Sequence, residues 1–93
     1  MGRQIIFKIG IIGCGLIGRK RANSLGLRGN LIACADTNIS NAKKIAHNKN
    51  IKIYDSWKKL LQIKEIDIVI ISTFHNQLGK ILLEAYKKNK HIL

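Results

Sequence analysis

The chain has 93 residues, 46% of them hydrophobic and none of them proline, and it carries a formal net charge of +12. A chain of this length forms one small domain that buries about 60 to 65% of its unfolded surface, and its short aliphatic runs exclude both a disordered tail and a membrane span of about 20 apolar residues. The charge would suit a nucleic-acid binder, but the lysines are scattered over every segment, with no interleaved aromatic residues on which bases could stack. Solvated basic faces are the leading reading, and an acidic partner is the alternative.

Arg3 and Lys8 ahead of the apolar stretch from Ile9 to Ile17 imitate a secretory leader. Glycines at 10, 13, 15 and 18 break that stretch and no small-residue cleavage site follows, so the segment is read as a buried strand and turn of a cytoplasmic protein. Phe7 to Ile12 is an apolar, β-branched run suited to a central strand buried on both faces. The spacing of Gly15, Gly18, Ala22 and Leu25 then predicts a helix closed by Gly26. Leu31 to Ala35 reads as a second strand ending at Asp36. Thr37, Asn38 and Ser40 offer caps for a helix carrying Ala42, Ile45 and Ala46.

A third strand is predicted over 51–54, followed by a short helix capped by Asp55-Ser56 with Trp57, Leu60 and Leu61 on one face. The run 66–73, IDIVIIST, is the strongest strand pattern in the chain. Leu78, Ile81, Leu82 and Ala85 then give helical spacing, and a fifth strand begins at His91 and runs over 91–93. Strands alternating with helices predict an α/β fold, a doubly wound parallel sheet of the Rossmann type that is incomplete at its C-terminus. The unpaired edge this leaves predicts marginal stability.

Gly13-Cys14-Gly15-Leu16-Ile17-Gly18 has the GxGxxG pattern, which is weak alone. Here it follows a buried strand and opens a helix, and an acidic residue, Asp36, lies 21 positions beyond Gly15. Gly13 permits the tight turn, Gly15 lets a pyrophosphate approach the backbone, and Gly18 lets the helix pack closely. The first-turn N–H groups near Leu16 and Ile17 can bind that pyrophosphate without a lysine. Asp36 can accept the adenosine ribose hydroxyls and repel a 2′-phosphate, favouring NAD; a helix N-cap is its alternative role.

Ligands of open α/β sheets gather at the carboxyl ends of the strands. Ser72, Thr73, Phe74, His75, Asn76 and Gln77 are therefore expected on the nicotinamide side, with His75 a polar contact or simply an exposed loop residue. Cys14 and Cys34 have neither metal-ligand nor redox-motif spacing and read as reduced packing residues.

The segments KIGIIGCGLIGRKRANSL, LIACADTN, YDSWKKLL, IDIVIIST and KKNKHIL together resemble the Gfo/Idh/MocA oxidoreductases, the glucose-fructose oxidoreductase and inositol 2-dehydrogenase group. The resemblance implies that Gly13, Gly15, Leu16, Ile17 and Gly18 hold the pyrophosphate, that Asp36 holds the adenosine ribose, and that Ser72, Thr73, Phe74, His75 and Leu78 approach the nicotinamide half. Where the family often has a proline after the threonine and a histidine near position 78, this chain has Phe74 and Leu78. The resemblance implies NAD as cofactor, with NADP as the alternative, and hydride transfer to or from a sugar, polyol or related hydroxyl compound. It also implies that residues 1–93 are an N-terminal cofactor domain. The family's glutamate-lysine-proline motif and its substrate-binding, homo-oligomerising domain would follow, so no catalytic residue and no metal ligand is assigned here. A non-catalytic nucleotide sensor on the same fold and a basic nucleic-acid-binding domain are the competing readings.

Overall fold

The computed structural model describes residues 5–26, 29–47, 50–73 and 76–93. In chain order it forms β1 (Phe7–Ile12), α1 (Leu16–Asn23), β2 (Gly29–Ala35), α2 (Ile39–Ala46) and β3 (Lys52–Tyr54), then α3 (Trp57–Leu61), β4 (Ile68–Ile71), α4 (Leu78–Lys87) and β5 (His91–Ile92). The strands form one sheet in the order β3-β2-β1-β4-β5, and every neighbouring pair is parallel. This is the doubly wound α/β arrangement expected from the alternation of the segments, and it puts a crevice at the carboxyl ends of β1 and β4, where the winding direction reverses.

The aliphatic strands bury both faces of the sheet. On one side Ile9, Ile11, Cys34 and Ile70 pack with Ala42 and Ile45 of α2 and with Ala22 near the end of α1. On the other, Ile12, Ala35 and Val69 pack with Leu60 and Leu61 of α3 and Ile81 and Ala85 of α4. Gly10 in the middle of β1 makes room for this second layer, since a Cβ there would lie 2.8 Å from Ile66 Cδ1 and 2.9 Å from Leu60 Cδ2.

Local chemistry sets the ends of the elements. Asn38 caps α2 by accepting the Ser40 N–H at 3.2 Å, and Ser56 caps α3 by accepting the Lys58 N–H at 3.1 Å. Lysine or arginine occupies the last turn of all four helices, where cations suit the helix dipole. These helices lie on both sides of the sheet, so the positive charge is divided between its two faces.

Several boundaries differ from the sequence expectation; β3 starts at Lys52 and β5 ends at Ile92, each one residue inside the expected run. Helix α1 ends at Asn23 rather than at Gly26, because Ser24 Oγ donates to the Lys20 carbonyl at 2.8 Å and its N–H to Arg21 at 3.1 Å, drawing the chain out of the helix early. Strand β2 starts at Gly29, two residues before the expected run. Strand β4 spans Ile68–Ile71, two residues short of the expected run at each end; just before it Asp67 is joined to β1, its N–H donating to the Lys8 carbonyl at 2.8 Å and its Oδ2 accepting the Lys8 N–H at 2.9 Å.

Beside it, Lys90 Nζ donates to the carbonyls of Ile63 at 2.7 Å and Ile66 at 2.8 Å, tying the approach to β5 onto the connection between α3 and β4. Among the described residues no strand covers the outer edge of β5, and Leu82, Leu83, Tyr86 and Leu93 are exposed. No helix among them is long and apolar enough to cross a membrane.

Candidate cofactor site

The turn between β1 and α1 depends on two missing side chains. Gly13 adopts φ +94°, and a Cβ on it would stand 2.8 Å from the Ser72 carbonyl oxygen. A Cβ on Gly18 would collide with the carbonyl oxygen of Gly13. The start of α1 is thereby pressed onto the end of β1, with Gly13 N–H bonded to the Ala35 carbonyl at 2.9 Å. Gly15 differs: a Cβ there would meet nothing within 4 Å, so the absent side chain opens space above the turn.

Gly15 is also the N-cap of α1 and gives it no side-chain cap, the first bond being Arg19 N–H to the Gly15 carbonyl at 2.9 Å. The N–H groups of Leu16, Ile17 and Gly18 precede that first bond at the positive end of the helix, and the side chains of Leu16 and Ile17 are exposed. An open backbone approach beside uncapped helical amides fits a pyrophosphate.

Asp36 follows β2 directly, half-buried beside this turn. Its Oδ2 accepts the Cys14 N–H at 2.7 Å and its Oδ1 the Asn38 N–H at 2.8 Å. Because Asn38 is the N-cap of α2, the capping role considered for Asp36 belongs to its neighbour. A carboxylate has about four lone-pair sites, so two amides fix its orientation and leave acceptor capacity on both oxygens for a diol.

At the end of β4 the Ser72 N–H continues the ladder to the Ile12 carbonyl at 2.9 Å, while its Oγ donates to the Gly13 carbonyl at 2.8 Å. Ser72 therefore braces the glycine turn. Thr73 lines a narrow cleft of about 70 Å³ together with Gly13, Asp36, Thr37, Trp57 and Gln77. Leu78 opens α4 with an exposed side chain and does not line this cleft. Phe74 and His75 lie outside the described residues.

Trp57 was legible in the sequence only as a core-facing residue. It does pack on the core, but its Nε1 also donates to Gln77 Oε1 at 3.0 Å across the cleft. The signal that finds it is topological, since the carboxyl end of β3 opens on the same crevice as those of β1, β2 and β4.

The two cysteines are free and fully buried, with Cys14 Sγ donating to the Ala35 carbonyl at 3.3 Å. Contact with the Cys34 sulfur, together with burial, pushes the Cys14 thiol well above its ordinary pKa. It is held neutral in the turn.

A parallel sheet in this order, a glycine turn from β1 into α1 and an acidic residue closing β2 define a dinucleotide-binding Rossmann fold. Residues 7–93 match the model of the GFO_IDH_MocA family, described as an oxidoreductase family with an NAD-binding Rossmann fold, and the chain belongs to that family. Its cofactor is NAD.

Among solved structures, the chain is similar to myo-inositol dehydrogenase from Lactobacillus casei in complex with NAD(H) and myo-inositol. The TM-score is 0.87 and the identity 26%, over 95% of this chain and 27% of that one. Scyllo-inositol dehydrogenase from the same organism, with bound NAD(H) and scyllo-inositol, gives 0.84 and 20% over 94% and 27%. A myo-inositol dehydrogenase from Corynebacterium glutamicum gives 0.87 and 19% over 95% and 27%. The chain spans about a quarter of the length of these structures.

Proposed function

We propose that residues 1–93 are the cofactor-binding domain of an NAD-dependent dehydrogenase that acts on a sugar, cyclic polyol or related hydroxyl compound. Substrate-binding and oligomerising residues, and the base that moves the substrate proton, would be supplied by sequence outside these 93 residues. Bound NAD supplies the hydride acceptor. The residues of this chain bind and orient: the amides of Leu16, Ile17 and Gly18 neutralise the pyrophosphate, the space above Gly15 admits it, and Asp36 accepts the ribose hydroxyls. Thr73, with Phe74, His75 and Leu78, would then lie toward the nicotinamide half. The observation that carries this reading is the Asp36 carboxylate held by the Cys14 amide beside the open face at Gly15. The polyol class rests on the inositol dehydrogenases among the similar structures.

The test is a fluorescence titration of the purified protein with NADH, beside a Gly15→Val variant. Saturable binding by the parent that the valine abolishes is the expected result, and no saturable binding by the parent overturns the reading. Substrate class is tested by NAD reduction with a panel of cyclic and linear polyols, using the complete encoded polypeptide.

A further inference from the structure

We propose that Trp57 seats the adenine ring of the dinucleotide, its indole forming the wall against which the base lies; this rests on the cofactor reading above. The order of groups along the ligand sets the geometry. With the pyrophosphate over Gly15 and the adenosine ribose at Asp36, the adenine must lie beyond Asp36 on the side away from the glycine turn. Thr37, Trp57 and Gln77 share the narrow cleft with Gly13, Asp36 and Thr73, and they are the walls that continue beyond it, away from the glycine turn. The same three residues line a second cleft of about 290 Å³ that extends to Ser56, Lys58 and Lys80.

The indole is held in place before any ligand arrives. Its inner part packs on the buried cluster of Leu60, Leu61 and Ile81, and its Nε1 is bonded to Gln77, so α3 and the start of α4 clamp the ring from two sides. A wall already fixed binds a flat base without the loss of side-chain freedom that a loose aromatic would incur. The ring also attracts what reaches it: the exposed Lys58 ammonium stands 5.6 Å from its centroid. Lys58 is a long, solvated side chain, and a base can displace it at little cost. Adenine has a π-face and no charge, which suits an indole flanked by an amide better than it suits the lysine rim.

Trp57 is the chain's single tryptophan, so its emission reports the site directly. The experiment titrates the protein with ADP-ribose and with AMP, which carry adenine but no nicotinamide to absorb the emission, and with reduced nicotinamide mononucleotide, which carries no adenine. Saturable quenching or shift by the first two, and none from adenine-free ligand beyond inner-filter absorption, is expected. Trp57→Leu should weaken ADP-ribose and NADH by roughly 5- to 150-fold, the range of base–aromatic stacking, while Trp57→Phe retains most of the affinity. The quenching arm needs no variant, and Gln77→Leu provides a second, exposed perturbation should Trp57→Leu fail to fold. If the parent binds NADH but ADP-ribose leaves Trp57 emission unchanged, the adenine lies elsewhere and the inference is overturned while the cofactor reading stands. If the parent binds neither, the cofactor reading falls and takes this inference with it.

Discussion

Asp36 Oδ2 accepts the Cys14 backbone N–H at 2.7 Å, joining the end of β2 to the glycine turn 22 positions upstream. The carboxylate proposed to select the cofactor is therefore hydrogen-bonded into the turn proposed to hold the pyrophosphate, so a change at one is expected to be felt at the other.

Replacing Asp36 by alanine should affect both. Like charges about 4 Å apart repel by about 1 kcal/mol in water and about 4 at an effective dielectric near 20, so the NADH-to-NADPH affinity ratio should fall by roughly 10- to 1000-fold. Absolute NADH affinity should fall as well, since the Cys14 and Asn38 amides lose their acceptor. Paired titrations with the two cofactors measure this. An unchanged ratio would show that Asp36 serves the turn and not the selection.

Gly13 and Gly15 should separate stability from binding. Gly13→Ala places a Cβ at φ +94° and 2.8 Å from the Ser72 carbonyl oxygen, and backbone strain of this kind costs about 1–3 kcal/mol. For a domain of this size that lowers Tm by roughly 4–8 °C per kcal/mol. Gly15→Ala meets no neighbour, so its melting curve should stay near that of the parent while NADH affinity drops. Equal melting temperatures for the two variants would contradict the geometry.

Cys14 and Cys34 should resist alkylation in the folded protein. Both are fully buried, and Cys14 is held as the thiol by its sulfur neighbour and by burial, whereas alkylation needs an accessible thiolate. Labelling with iodoacetamide, read by mass spectrometry along a urea series, should follow unfolding with no faster phase. Rapid labelling of Cys14 under native conditions would mean that the glycine turn opens independently of the domain.

Lys90 should contribute to stability although no carboxylate partners it in an ion pair among the described residues. Its ammonium bonds the Ile63 and Ile66 carbonyls, and hydrogen bonds from charged donors are worth about 1.5–3 kcal/mol each at best, less at a partly exposed site. Lys90→Met is expected to destabilise by about 1–2 kcal/mol in urea melts. Burial lowers the pKa of this ammonium below the ordinary 10.5, so between the two values the unfolded chain binds more protons than the folded one. The contribution of this group to stability therefore rises with pH through that alkaline window and falls as pH drops through the folded value. The methionine variant should lose that part of the slope.

What the sequence made legible follows from how local each cause is. Strand β1 emerged at its observed bounds because an aliphatic run stops against glycines, and the parallel sheet followed from the alternation of runs. Gly26 misled because a glycine looks like a helix end, while the actual end depends on one hydroxyl of Ser24 reaching back to Lys20. Asp67 read as an interruption of a strand, yet it is a clasp to Lys8, 59 positions away, and no local pattern encodes such a partner. Within the site, Asp36 could be picked out by its distance from Gly15, but its bond to Cys14 could not. Ser72 was expected to face a ligand and turns out to brace Gly13, since its position in the strand is sequence-local and the direction of its hydroxyl is not.

The carbonyl oxygen of Gly13 is the meeting point of three positions: it accepts the Ser72 hydroxyl at 2.8 Å, and it occupies the place a side chain at Gly18 would take. Substitutions at 13, 18 and 72 must therefore be epistatic. Enlarging position 18 displaces the oxygen to which Ser72 donates, so Ser72→Ala should be milder in a Gly18→Ala background than in the parent, and single-site effects will not sum. Anyone redesigning this turn has one acceptor atom to satisfy and must vary all three positions together to do it.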